Sequence, residues 1–251
     1  MITIENLSFT YPKADRPALQ NMSIRFETGL VNVLIGLNGA GKTTLFDIIS
    51  GLYKPQHGHI TNLPHIQDML YQIQGTFLSA LVKGKEYIRL IYNISGKKFI
   101  NDENYIIEQM NLKSDREKEL LKDLWNKKIG QMSVGERRWL YVITLTQLKR
   151  SLYIFDEPTS GVDPSSRIKI YKRIEELSQM EGNVIILSTH HLHDLKFITC
   201  KINVLHKGSI LFEGDYQSFI SLYGSENPDI AFDNCINNLN QEVITEAQVY
   251  A

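Results

Sequence analysis

The segment that most limits what this chain can become is Gly36-Leu37-Asn38-Gly39-Ala40-Gly41-Lys42-Thr43, which fits GxxxxGK[ST] at every fixed position. A short apolar strand, Val31–Ile35, precedes it, and a helix is expected from about Lys42 to Ser50. Strand, glycine loop and helix start together form an anion site, because loose backbone N–H groups and the helix dipole point at the same spot. The pattern implies that Gly36, Asn38, Gly39, Ala40 and Gly41 wrap the phosphates of a nucleoside triphosphate and that Lys42 adds a point charge. The Thr43 hydroxyl is placed to ligate Mg²⁺, and Thr44 to reach the α-phosphate.

Along the rest of the chain, strand patterns occur at Ile2–Phe9, Leu19–Phe26, Leu152–Phe155, Val184–Leu187 and about Ile202–Leu205. Helices are expected at about Pro164–Met180 and near Leu192–Phe197. Strand alternating with helix favours a mostly parallel α/β sheet that binds ligands at the carboxyl ends of its strands. Residues 79–128, rich in Lys, Glu, Leu and Ile at helical spacing, break this rhythm and read as an inserted helical subdomain. The run Lys113–Asp123 reads as a solvated helix face. The residues from about Ser225 to Ala251 read as a frayed tail or a small accessory helix.

The second buried-type strand ends in two carboxylates. Asp156 is expected to hold Mg²⁺ beside the phosphate loop, and Glu157 to polarise the water that attacks the γ-phosphate. Upstream lies Met132-Ser133-Val134-Gly135-Glu136-Arg137-Arg138. Ser133 followed three residues later by Glu136 is a capping box, and that segment also resembles the LSGGQ signature of ABC-type ATPases. Further motifs follow the order of that family. Asp156-Glu157-Pro158-Thr159-Ser160-Gly161-Val162-Asp163 resembles Walker B plus D-loop, and Leu187-Ser188-Thr189-His190 resembles the switch-histidine loop. Tyr11 resembles the aromatic that stacks on adenine, and Tyr71-Gln72-Ile73-Gln74 holds the Q-loop glutamine, by spacing Gln74 with Gln72 as the alternative.

The resemblance spans about residues 1–223 and implies a P-loop NTPase (RecA-like) core with an N-terminal antiparallel β subdomain. It places the helical insertion at about 75–147 and leaves a tail at 224–251. It further implies ATP and Mg²⁺ as cofactors, with Gln74 joining Thr43 and Asp156 at the metal. His190 would contact the γ-phosphate. Ser133 and Gly135 would meet the nucleotide of a second copy or a homologous subunit, and Asp163 would link the two sites. Two departures stand out: Val134 replaces a glycine and Glu136 a glutamine, the latter placing negative charge near the phosphate.

No run approaches the ~20 apolar residues that span a bilayer. A transport role therefore implies an integral membrane permease as partner, docked along the apolar side of Phe77–Ile91, and a cytoplasmic location on the inner face of the membrane. The general resemblance is to exporter-type ATPases, and the short stretch after residue 223 leaves no room for a regulatory domain. The alternative is a soluble ATPase of the iron–sulfur assembly type; a P-loop kinase would need neither signature nor switch histidine. A net charge of -1 gives no overall basic field, so nucleic acid is not expected as a partner. Cys200 and Cys235, far apart, read as incidental thiols.

Overall fold

The computed structural model describes residues 1–75 and 78–237. Its centre is a six-stranded sheet in the order β5-β6-β7-β3-β8-β9. These strands are β3 (Val31–Ile35), β5 (Met69–Gln72), β6 (Leu152–Asp156), β7 (Val184–Ser188), β8 (Cys200–His206) and β9 (Ser209–Asp215). All neighbours pair in parallel except β9, which returns antiparallel on β8. A second, antiparallel sheet has the order β2-β1-β4, from β1 (Ile2–Phe9), β2 (Leu19–Phe26) and β4 (His57–Thr61).

The two-residue period of the central strands sorts their side chains into two cores. Val31, Val33 and Ile35, with Tyr153, Phe155, Ile185 and Leu187, face one cluster. Leu34, Leu152, Ile154, Val184 and Ile186 face the other, which the antiparallel sheet and helix α1 (Lys42–Ile49) complete. Because β3, β6 and β7 are buried on both faces, they read as apolar runs, interrupted in β3 by Asn32, whose amide donates to the Glu27 and Ile185 carbonyls.

Between β5 and β6 the chain forms α2 (Gly84–Ile94), α3 (Glu103–Gln109), α4 (Asp115–Trp125) and α5 (Val134–Leu145). They bury Ile88, Ile106, Leu121 and Leu124 in the first core. Local chemistry starts each of the last three. Asp102 caps α3 through Tyr105 N, and Ser114 and Ser133 form capping boxes with Glu117 and Glu136. After β6 comes α6 (Pro164–Ser178), opened by Asp163 as cap and Pro164 at its first position.

Leu192–Phe197 is helical as expected, a 3₁₀ helix. Strands β4, β5 and β9 carried no recognised sequence pattern. Helix α7 (Tyr216–Leu222) is followed by a helical stretch from 228 to 237, and residues 238–251 of the tail lie outside the described residues. Phe77 also lies outside them.

Candidate active site

The phosphate loop leaves the carboxyl end of β3 and runs under β8. A side chain at Gly36 would collide with the Leu205 carbonyl oxygen, and a Cβ at Gly41 would lie 2.6 Å from the Ala18 carbonyl oxygen. Gly41 also has φ 114°, a conformation natural to glycine, and it begins α1. The loop is thus shaped by backbone crowding as well as by its ligand chemistry.

Lys42 folds back over the loop, donating to the Gly36 carbonyl at 2.6 Å and the Leu37 carbonyl at 3.2 Å. It is only 8% exposed. Burial lowers its pKa, against the pull of the Glu157 and Asp156 carboxylates. The Thr43 hydroxyl lies 3.4 Å from Asp156 Oδ2, at the tip of β6, which β7 separates from β3 in the sheet. Asp156 is buried, and burial raises its pKa against the hydrogen bond from Ser188. One hydroxyl beside one buried carboxylate suits Mg²⁺, which takes few protein ligands and fills the rest with phosphate oxygens and water.

Glu157 is the focus of the cluster. Its φ of 48° lies in the left-handed region, a conformation that costs a non-glycine residue on the order of 1–3 kcal/mol. Its backbone N–H donates to Ser188 Oγ at 2.9 Å. Gln74 Nε2 donates to one carboxylate oxygen at 2.8 Å, and His190 Nε2 lies 2.5 Å from the other. The carboxylate is therefore clamped between the loop after β5 and the loop after β7. Gln72, by contrast, is buried in β5 with neither amide atom hydrogen-bonded.

Tyr11 donates to or accepts from Thr44 Oγ1 at 3.0 Å, and its ring packs edge-on against Phe9 and Tyr53. The structure thus brings Tyr11, the loop from Gly36 to Thr44, Gln74, Asp156, Glu157 and His190 together at the carboxyl ends of the central strands. Ser188 belongs with them and was not singled out from sequence. It donates to Asp156 Oδ1 at 2.5 Å while accepting from Glu157 N, which fixes the Asp156 carboxylate and the Glu157 backbone to β7. Its only sequence signal is a hydroxyl ending an otherwise apolar strand.

Ser133, Gly135 and Asp163 form a separate group. They share a recess of about 310 Å³ whose lining includes no phosphate-loop residue. Ser133 Oγ accepts from Glu136 N at 3.1 Å, and its hydroxyl is also within hydrogen-bonding reach of the Glu136 carboxylate. Asp163 accepts from Ser166 N, also at 3.1 Å. Both departures from the signature have local partners. The Glu136 carboxylate pairs with Lys127 at 2.8 Å, so its charge is neutralised at the helix start. Val134 faces Gly161, where any Cβ would come within 2.9 Å of the valine methyl.

The comparisons with known proteins agree with this geometry. The ABC transporter family profile matches residues 19–160. An energy-coupling factor transporter ATP-binding protein of Mycoplasma mobile is 29% identical over 230 residues, covering 86% of this chain and 80% of its own. A counterpart in Streptococcus sanguinis is 26% identical, covering 85% and 81%. The fold matches the ATP-binding subunit of an ABC transporter at TM-score 0.74 and 23% identity, over 94% of this chain and 99% of that one. It also matches a dimeric bacterial ABC transporter cassette at TM-score 0.68 and 21% identity, over 86% and 99%. A profile match over more than half the chain, on a site with a phosphate loop, a metal-suited carboxylate and a clamped glutamate, places this chain in the ABC transporter family as an ATP-binding, ATP-hydrolysing subunit.

Proposed function

We propose that two copies of this chain, or this chain and a homologous subunit, close head to tail around ATP and drive translocation by a separate membrane subunit. The observation that carries the reading is the division of the site into two groups on one chain. The phosphate loop, Asp156, Glu157, Gln74 and His190 gather at the carboxyl ends of the central strands, while Ser133 and Gly135 open into a recess without them. A second chain brings the two groups together, and ATP favours the closed state because only there does it contact both.

In this scheme the loop N–H groups and Lys42 hold the phosphates, Tyr11 supports the base, and Thr44 reaches the α-phosphate. Thr43, Asp156 and Gln74 would hold Mg²⁺, which when bound neutralises charge on the phosphate oxygens. Glu157 takes the proton of the attacking water, and His190 orients its carboxylate and faces the γ-phosphate. Ser133 turns its hydroxyl to the nucleotide of the partner, and Asp163 joins the two sites. Among the described residues no helix is long and apolar enough to cross a membrane, so the bilayer path belongs to the partner. The chain works on the cytoplasmic face of that partner, and the direction rests on the family resemblance alone: export.

Glu157→Gln tests the scheme. The variant binds ATP but loses turnover at least a hundredfold, and it elutes as a dimer in gel filtration with MgATP and as a monomer without it. Turnover at the native rate refutes the role of Glu157, and a monomer under both conditions refutes the two-chain site.

A further inference from the structure

Away from the nucleotide cluster, a cavity of about 390 Å³ opens where α3, α5 and α6 converge. Four cations line it: Lys97, Lys149, Arg150 and Arg173. Among the described residues the sole carboxylate in its wall is Glu176, and both oxygens of that group are already engaged, one by Lys113 at 2.5 Å and one by Arg173 at 3.1 Å. Four positive groups face one negative group, and among the described residues Lys97, Lys149 and Arg150 have no carboxylate partner. Lys97 is held there by Gln147 Oε1 at 3.3 Å; burial lowers its pKa, and so do Lys149 and Arg173.

The floor is different in character. Met110, Leu148, Tyr153 and Leu177 are buried apolar side chains, and Met180 flanks the mouth, 56% exposed. A cationic rim over an apolar floor, in a volume within the ordinary range for small-molecule sites, suits an anion carried on an apolar body. The surplus of three charges favours a dianion over a carboxylate, and guanidinium beside ammonium is the donor set phosphate groups prefer.

We propose that this cavity binds a phosphomonoester with an apolar or aromatic body, distinct from the nucleotide held at the phosphate loop. Its walls come both from the helices inserted between β5 and β6 and from α6, which follows the catalytic strand. An occupant therefore bridges the two parts of the molecule.

The probe is 1-naphthyl phosphate, titrated calorimetrically into the full chain saturated with MgADP so that the phosphate loop is already filled. Saturable one-to-one binding is expected, weakened at least tenfold in the double variant Lys97→Gln/Arg150→Gln. Inorganic phosphate and 1-naphthol should each bind at least tenfold more weakly than the probe. Methyl resonances of Met110 and Met180 in the native protein should shift on titration, a readout that needs no variant. Competition by phosphatidylcholine vesicles containing phosphatidic acid assigns the source to a membrane lipid, and the absence of competition assigns it to a free phosphomonoester; either outcome supports the site. No saturable binding, equal affinity in the double variant, equal affinity for phosphate or naphthol, or methyl shifts confined to other methionines overturns it.

Discussion

Asp156 and Glu157 are adjacent, yet the structure treats them in opposite ways. Asp156 is sealed at the strand end with its pKa raised chiefly by burial, so the nucleotide-free fold holds its proton more tightly than the unfolded chain does. A raised carboxyl contributes stability at low pH that is lost as pH climbs from the ordinary carboxylate range through the folded value. Asp156→Asn removes the buried charge and keeps an acceptor for Ser188. Its nucleotide-free form should melt higher by about 2–4 °C at pH 7, the shift that about 1 kcal/mol produces in a domain of this size. Its Mg²⁺-dependent ATPase should fall at least a hundredfold. A melting point unchanged between pH 4 and pH 8 in the native protein would show that the charge costs the fold nothing. Lys42→Ala belongs at the same scale: losing a charge-assisted contact typically costs about 1.5–3 kcal/mol, so MgATP affinity should drop at least tenfold in a binding titration.

At the scale of the element, α5 shows how one helix start serves two ends. Ser133 and Glu136 satisfy each other's backbone N–H groups, and Lys127 holds the Glu136 carboxylate. Burial alone would raise the pKa of Glu136, but hydrogen bonds from Lys127 and Ser133 outweigh it and leave the group below its ordinary value. Such a group stabilises the fold above the unfolded value, and the gain is lost as pH falls through the folded one. Ser133→Ala should cost about 1 kcal/mol in urea unfolding. Glu136→Gln keeps the capping geometry but loses the ion pair. Its cost at pH 7 should stay under about 1 kcal/mol, and part of the native loss of stability below pH 4 should disappear. Legibility followed the same logic. Strands β3, β6 and β7 could be read because burial on both faces leaves nearly continuous apolar runs, interrupted in β3 by Asn32, and the helices could be read from period and caps. Strand β4, His-Gly-His-Ile-Thr, is mostly exposed and exists because β1 pairs with it; β5 has only four residues. Neither has a periodicity of its own to show. The phosphate loop and the acidic pair are contiguous and visible in sequence, whereas the bond from Ser188 to Asp156 spans two neighbouring strands and needs their register.

For the whole molecule, one exposed apolar surface among the described residues lies around the start and outer face of α2. Leu81 is 72% exposed, and Leu90 and Ile94 are 49% and 55% exposed. The opposite face of the same helix buries Tyr87, Ile88 and Ile91, so the helix stands without those outer side chains. In sequence this surface follows the segment whose Gln74 donates to Glu157, the route by which a partner seated there would reach the catalytic carboxylate. If the membrane subunit docks here, a charge placed on the surface should break the complex and leave the nucleotide cluster intact. Leu81→Asp and Leu90→Asp should each reduce copurification from detergent-solubilised membranes at least tenfold. ATPase of the isolated chain should stay within about twofold of native, since neither side chain touches the cluster, and surface substitutions away from such features usually change stability by no more than about 0.5 kcal/mol. Native-level copurification of both variants would move the docking surface elsewhere. Loss of ATPase along with copurification would mean that the helix transmits damage to Gln74, which Gln74→Ala can check by losing turnover while the membrane complex survives.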